Sequence, residues 1–251
     1  MTSPKPRNVV AEVIAGDSLS IMGAMKSEIF DAIITDPPFN RGKNYGGFYR
    51  DSKSTEEYLS WCESWLFECM RLLKPTGSMY IFNYPENNAL LLPFLKRHMH
   101  FRRWLTWHYP TNIGHSKKNY TRSQHSILFL TKSEEYKFNR EEVSEPYRNP
   151  EDRRIKERLS NGSTGRAPYD VFIHNLVKNV SREKTEHPCQ IPVKLLSVFI
   201  KASTDPGDWI LDPFAGSFST CVAAKQLGRN SVGIEINPNY AALGKRRIAE
   251  M

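Results

Sequence analysis

Residues Phe30-Asp31-Ala32-Ile33-Ile34-Thr35 form a short, mostly apolar run that stops at Asp36-Pro37-Pro38-Phe39. A run rich in Ile and Ala reads as a strand buried on both faces, as in a parallel sheet that needs helices above and below it. The two prolines stop it sharply. Each fixes its own φ, and Pro38 also keeps Pro37 out of the α region, so the backbone leaves the strand extended and preset. Neither proline has an N–H. The turn therefore offers acceptors, the Asp36 carboxylate and nearby carbonyls, with Phe39 as a flat surface beside them. Such a turn suits a planar substrate carrying an NH2 group. On these four residues alone, a strand-closing Asx-type turn over a buried Phe fits as well.

The rest of the chain follows the same alternation. Val9 to Ala15 reads as a strand ending at Gly16-Asp17-Ser18. Thr55 to Lys74 carries Tyr58, Trp61, Cys62, Trp65, Leu66, Cys69, Leu72 and Leu73 at helical spacing, and Pro75-Thr76-Gly77 stops it. Ser78 to Asn83 is predicted as a strand, Glu86 to His98 as a helix, and Phe101 to Tyr109 and Ser126 to Thr131 as strands. Between about Ser133 and Glu186 the periodicity fails, with Pro146, Pro150 and Pro168 and the run Asn161-Gly162-Ser163-Thr164-Gly165. This segment is expected to be a surface insertion or partly disordered when free. Order returns with a helix over Ile191 to Ala202, a strand at Trp209-Ile210-Leu211, and a loop from Asp212 to Thr220 that opens a helix from Cys221 to Leu227. A strand at Ser231 to Ile234 then ends at Glu235, and a last helix starts at Pro238. The pattern predicts an α/β sheet with helices on both faces, in three stretches: residues 1–132, an inserted 133–186, and 187–251.

At 251 residues the chain is long enough for one large α/β domain. No signal peptide or long uncharged apolar span is visible. Cys62, Cys69, Cys189 and Cys221 form no C-x-x-C pair and read as free thiols in a reducing cytoplasm. The net charge is +8, and it is localised. From Asn87 to Ser133 there is no Asp or Glu, yet Lys96, Arg97, Arg102, Arg103, Lys117, Lys118, Arg122 and Lys132 all fall there. The remainder of the chain is balanced at 27 basic and 27 acidic residues. Trp104, Trp107, Tyr109 and Tyr120 lie between those charges, and basic groups interleaved with aromatics predict a nucleic-acid surface. His98, His100, His108, His115 and His125 share the stretch without ligand spacing or nearby carboxylates, so no metal site is expected.

A loop of small residues after one strand, followed by an acidic residue ending the next, is how Rossmann-like sheets hold nucleosides: the backbone comes close, and Glu235 accepts from ribose hydroxyls. The loop lacks G-x-G-x-x-G. Instead Phe214-Ala215-Gly216-Ser217-Phe218 resembles the F-x-G-x-G loop of S-adenosylmethionine-dependent methyltransferases. With Asp36-Pro37-Pro38-Phe39 upstream, the resemblance is to the β group of amino-methylating DNA methyltransferases, which modify adenine N6 or cytosine N4. It spans nearly the whole chain. Leu73-Lys74-Pro75-Thr76-Gly77-Ser78-Met79-Tyr80-Ile81-Phe82 looks like the family's helix-to-strand turn, and His187-Pro188-Cys189-Gln190-Ile191-Pro192 like the segment before the cofactor loop. The stretch from Tyr80 to Glu145 is most similar to adenine methyltransferases of the MboII type.

The resemblance implies a Rossmann-like methyltransferase sheet with a small target-recognition insertion at 133–186. It implies S-adenosyl-L-methionine as cofactor and double-stranded DNA as partner, with a cognate restriction endonuclease and a monomeric or homodimeric state as further expectations. Asp36, Pro37, Pro38 and Phe39 become the methyl-transfer residues. Asp17, Ser18, Asp36, His187, Asp212, Phe214, Ala215, Gly216, Ser217, Ser219, Thr220 and Glu235 become the cofactor contacts. Lys96, Arg97, Arg102, Arg103, Lys117, Lys118 and Arg122 become DNA contacts. An N-cap role for Asp17 fits equally well, and the loop from Asn40 to Lys53 is a candidate to close over DNA.

Two features depart from the family pattern: Phe218 stands where a second glycine is usual, and Ile191-Pro192 supplies no lysine where one is common two residues after the glutamine. Asp at the first tetrapeptide position favours adenine over cytosine N4, and a nucleobase over RNA or protein-glutamine targets of related tetrapeptides. Pro188-Cys189-Gln190 resembles the nucleophile motif of cytosine-C5 enzymes. It precedes the cofactor loop, however, and has no Glu-Asn-Val partner, which argues against that chemistry.

Overall fold

The computed structural model describes residues 9–251, except 50, 112, 113, 115, 116, 179, 180 and 182. The predicted His115 lies outside that set. Eight strands form one sheet: β1 (Ala11–Ala15), β2 (Phe30–Thr35), β3 (Leu73–Asn83), β4 (His100–His108), β5 (Gln124–Thr131), β6 (Val171–Ile173), β7 (Trp209–Asp212) and β8 (Asn230–Glu235), in the order β1-β8-β7-β2-β3-β5-β4-β6. Strand β5 runs antiparallel to both its neighbours, and every other pairing is parallel. The helices are α1 (Ser18–Gly23), α2 (Thr55–Leu72), α3 (Pro85–His98), α4 (Arg153–Ser160), α5 (Val193–Ser203), α6 (Ser219–Gln226) and α7 (Pro238–Ala249).

The continuous apolar run of β2 is explained by burial on both faces. Ile33, Met79, Ile81 and Leu211 point to one side, where they meet Met22 of α1 and Cys62, Trp65, Leu66 and Cys69 of α2. Ala32, Ile34, Tyr80 and Ile210 point to the other, against Leu195, Leu196, Phe199 and Ile200 of α5 and Ala223 and Ala224 of α6. Helix α2 begins where expected because Ser54 and Glu57 form a reciprocal capping box.

Three elements differ from the sequence expectation, β3, β6 and the short helix α4 within the segment 133–186. Leu73 already pairs with Phe30, and the ladder resumes at Ser78 opposite Ala32, so Pro75-Thr76-Gly77 is an irregularity inside β3. Within the segment 133–186, Val171-Phe172-Ile173 joins the sheet as an edge strand beside β4. Three residues are too few to show a strand's alternation, and only the neighbouring strand reveals them.

The topology decides where a ligand goes. From β2 the chain crosses through α2 to β3 on one side, and from β7 it crosses through α6 to β8 on the other, while β2 and β7 lie side by side. The connections diverge between these two strands, leaving a crevice at their carboxyl ends. Asp36 follows β2 and Asp212 ends β7, so both carboxylates stand at that switch point.

Candidate active site

A cleft at the switch point is lined by Asp17, Ser18, Asp36, Pro37, Pro38, Phe39, His187, Asp212, Phe214, Ala215, Gly216, Ser217, Ser219, Thr220 and Glu235. These are all the methyl-transfer and cofactor residues expected from sequence, drawn together from three distant stretches. Tyr45, Tyr49, Trp61, Cys189, Leu196 and Ile236, not expected there from sequence, are among the remaining wall residues. Trp61 was assigned only to a helical face, and the two tyrosines lie in the Gly- and Lys-rich loop after β2. Rings of Tyr49 and Phe214 sit 5.2 and 5.5 Å from that of Trp61, forming an aromatic side to the cleft.

The Asp36-Pro37-Pro38-Phe39 turn is held from outside. Tyr58 Oη donates to the Pro38 carbonyl at 3.0 Å and itself accepts from Asn83 Nδ2 at 3.0 Å. Asn87 Nδ2 donates to the Phe39 carbonyl at 2.9 Å. These bonds take the last two carbonyls of the turn. The Asp36 Oδ1 atom is buried and has no hydrogen-bond partner. Burial, reinforced by the nearby Asp212 charge and opposed by Lys43, pushes the Asp36 carboxyl up to about 8. A buried acceptor without a donor is costly unless a ligand supplies one. The Phe39 ring packs against Tyr84 and His125, with centroids 4.9 and 5.3 Å away.

On the other side of the crevice, Asp212 organises the loop that opens α6. It accepts from Phe214 N at 3.1 Å and from Thr220 Oγ1 at 2.6 Å. Burial pushes its carboxyl up to about 7 despite those donors. Glu235 accepts from Gly216 N at 2.9 Å and from Asn237 N at 2.8 Å, which ties the end of β8 to the loop, and burial raises its pKa. Gly216 has φ +49°, and a Cβ there would meet the His187 ring at 2.8 Å. Only glycine fits that approach. His187 Nδ1 lies against the Cys189 backbone, and burial pushes its imidazole down to about 4, so the ring is neutral at pH 7.

Asp17 and Ser18 line the cleft and also do local structural work. Asp17 caps α1 by accepting from Ser20 N at 2.9 Å, and the Ser18 hydroxyl donates to the Pro213 carbonyl, joining the first strand's turn to the cofactor loop. Phe218 explains itself differently from the expected glycine. It adopts the left-handed conformation that glycine would take, with φ 60°, but its ring turns away from the cleft into the space over Gly233 and Gly244. A Cβ at either glycine would collide with that ring, at 2.7 and 2.2 Å. The strained backbone is offset by a fully buried aromatic side chain.

The basic stretch is split, which corrects the single surface expected from sequence. Strand β3 ends at the cleft, so α3 starts there and carries Lys96 and Arg97 to the opposite edge of the sheet, where they fall in its last turn. Strand β4 likewise begins at that far edge with Arg102 and Arg103, since His100 pairs with Thr131 and His108 with Gln124. Arg102 is bound there to Glu134 at 2.9 Å and stacks on Tyr136. Lys117, Lys118 and Arg122 lie in the β4–β5 connection at the cleft end. The loop after β2 is also more fixed than a free lid: Asp51 is buried and accepts from the backbone N–H groups of Asn40, Arg41 and Lys43. Among the described residues, no cluster of His, Cys, Asp or Glu is able to hold a metal, and no helix is long and apolar enough to cross a membrane.

A doubly wound sheet with a nucleoside-type loop and a proline-fixed acceptor turn on either side of one crevice defines a nucleotide-handling group transferase. Comparison with known proteins makes this specific. The DNA methylase family of N6/N4 methyltransferases matches residues 30–246, and the chain belongs to it. It is 33% identical over 246 residues to the DNA adenine methyltransferase YhdJ of Escherichia coli (strain K12), covering 96% of this chain and 83% of that protein. It is 33% identical over 225 residues to the type II methyltransferase M1.MboII of Moraxella bovis, covering 82% and 84%. Among solved structures, the cytosine-N4-specific PvuII DNA methyltransferase superposes with a TM-score of 0.75 at 20% identity, covering 95% of this chain and 86% of that one. The M1.HpyAVI–SAM complex superposes with a TM-score of 0.63 at 24% identity, covering 95% and 100%.

The fold is therefore Rossmann-like, and the methyl donor is S-adenosyl-L-methionine. The residues present suit it: Gly216 puts bare backbone on the cleft wall, Glu235 keeps lone pairs for hydroxyls, and the aromatic side offers rings to a flat base. When bound, the cofactor supplies an electrophilic methyl group on a sulfonium.

Proposed function

We propose that this protein methylates the exocyclic N6 of adenine at specific sites in double-stranded DNA. The observation that carries the reading is the buried, unpartnered Asp36 Oδ1 at the switch point. An exocyclic amine is a poor nucleophile because its lone pair is delocalised into the ring. With Asp36 and the Pro37 carbonyl each accepting one N–H, the nitrogen becomes pyramidal and its lone pair turns toward the methyl group. That is stabilisation of the transition state by fixed acceptors, without a covalent enzyme intermediate. The target base has to leave the duplex to reach the turn, and Phe39 is the surface it stacks on.

Adenine is favoured over cytosine by Asp at position 36 and by the relative named an adenine methyltransferase; the cytosine-N4 structural neighbour, at 20% identity, speaks for the fold alone. The 133–186 segment is assigned to target recognition, and the protein to the cytoplasm of a bacterium or phage, beside a cognate endonuclease in a restriction-modification system. The deciding experiment is to express the protein in a methylation-deficient host, digest the DNA and identify the modified nucleoside by chromatography and mass. N6-methyladenine is expected. N4-methylcytosine would reverse the assignment of the base, and unmodified DNA would remove the activity.

A further inference from the structure

Tyr120 is the outlier among the exposed large apolar and aromatic side chains. It is 97% exposed, against 66% for Ile173 and 46% for Phe48, and its side chain makes no hydrogen bond or ring contact among the described residues. It sits in the connection between β4 and β5, which emerges at the cleft end of the sheet. The two legs of that connection are fixed: Tyr109 N donates to the Ser123 carbonyl at 2.8 Å, and Tyr109 Oη to the Gln124 carbonyl at 3.1 Å. Thr121 Oγ1 donates across it to the Gly114 carbonyl at 2.9 Å.

The same connection is tied to the methyl-transfer turn. Arg122 pairs with Glu86 at 2.6 Å and lies over the Tyr84 ring at 4.2 Å, and Tyr84 packs on Phe39. His125, at the start of β5, packs on Phe39 as well. Lys117 and Lys118, both exposed and in no ion pair among the described residues, come just before Tyr120 in the chain. An exposed ring that follows two exposed lysines in the chain, on a rim braced against the ring that receives the base, has the chemistry of a duplex-entering residue: phosphates meet the lysines, and the ring meets stacked bases.

We propose that Tyr120 enters the DNA stack at the position the target base vacates, holding the duplex open while the base lies on Phe39. Extruding a base leaves its neighbours unstacked, and an inserted aromatic side chain restores those contacts. Tyr120 is a positioning residue, not one that touches the reacting atoms. The inference rests on the DNA-methylating reading above.

The test starts by mapping the modified site in DNA from cells expressing the wild-type protein; absence of any modified site refutes the functional reading itself. Synthetic duplexes carrying that site are then prepared in two forms, one fully paired and one with an abasic position opposite the target base. Tyr120→Ala is expected to lose about tenfold or more in kcat/KM on the paired duplex and to stay within about twofold of wild type on the pre-opened one, whereas Tyr120→Trp retains activity on both. S-adenosylmethionine affinity measured by calorimetry stays unchanged, which shows that the variant is folded. Equal losses on both duplexes, or no loss on the paired one, overturn the proposal. So does the same selective pattern in Phe48→Ala with Tyr120→Ala unaffected, since the entering ring would then belong to the other loop.

Discussion

Asp36 and Asp212 stand at the carboxyl ends of adjacent strands, Asp212 buried and Asp36 with its Oδ1 buried, and each is held above the ordinary carboxylate range. The two sides of the methyl-transfer site are thereby electrostatically linked: ionising Asp212 opposes ionising Asp36, and Lys43 favours it. Two acceptors poised near neutrality make the site sensitive to pH.

Only ionised Asp36 offers both oxygens as acceptors, so kcat/KM for DNA is expected to rise with pH and level off above about 8. Replacing Lys43 by Met removes the cation that favours ionisation and should shift the rising limb to higher pH. A pH profile of single-site methylation checks both, and a flat profile between pH 6 and 9 would disprove the assignment.

Stability should respond in the opposite direction. The folded-state pKa of Asp36 is raised, so between the ordinary carboxylate value and about 8 the native state binds a proton that the unfolded chain lacks, and stability falls as pH rises through that window. Asp36→Asn is neutral throughout. It should abolish turnover while melting several degrees above wild type at pH 9, at roughly 2–4 °C per kcal/mol, with the gap closing at pH 5. Calorimetric scans at the two pH values measure this.

Thr220→Val keeps the shape of the side chain but removes the 2.6 Å donor to Asp212. Leaving that buried oxygen unpaired should cost about 1–3 kcal/mol of stability and weaken S-adenosylmethionine binding, because Asp212 also fixes the loop through Phe214 N. Thermal melts with and without the cofactor separate the two effects.

Phe218→Ala should lower stability by about 3–5 kcal/mol, since the fully buried ring fills the space above Gly233 and Gly244. Cofactor affinity at low temperature, where the variant is folded, should change far less than in Gly216→Ala, whose new methyl would strike His187. Equilibrium dialysis with labelled cofactor compares them.

The division of the basic stretch predicts a division of effect. Lys117→Ala and Lys118→Ala should each reduce the slope of log affinity for DNA against log salt by about 1, whereas Lys96→Ala and Arg97→Ala, at the far edge of the sheet, should leave it unchanged. Titrations at four salt concentrations distinguish this from one continuous basic surface.

Much of this molecule was legible in the chain. The paired prolines after Thr35 end β2, the Ile- and Ala-rich runs demand burial on both faces, and Ser54 with Glu57 starts a helix; these are local rules, and the elements they predict are present. The same locality hid other features. Val171-Phe172-Ile173 is a strand only because β4 offers it an edge, and Tyr45, Tyr49 and Trp61 became one wall only when a loop and a helix converged on the cofactor turn. Nor does any property of Phe218 alone say that its ring would find room above two glycines in other elements.

Charge was the least readable property. Lys96 and Lys117 belong to one acid-free stretch of sequence, yet β4 runs the length of the sheet between them, so they end on opposite edges. Composition along the chain showed that the excess cations cluster in one stretch and that an acceptor turn follows β2, while Trp107 and Tyr109 of that stretch are buried rather than on a surface. Which cations face the cleft, and which acceptor was left without a donor, was decided by tertiary packing. Strand direction and burial set where a side chain points, and both depend on residues far away in sequence.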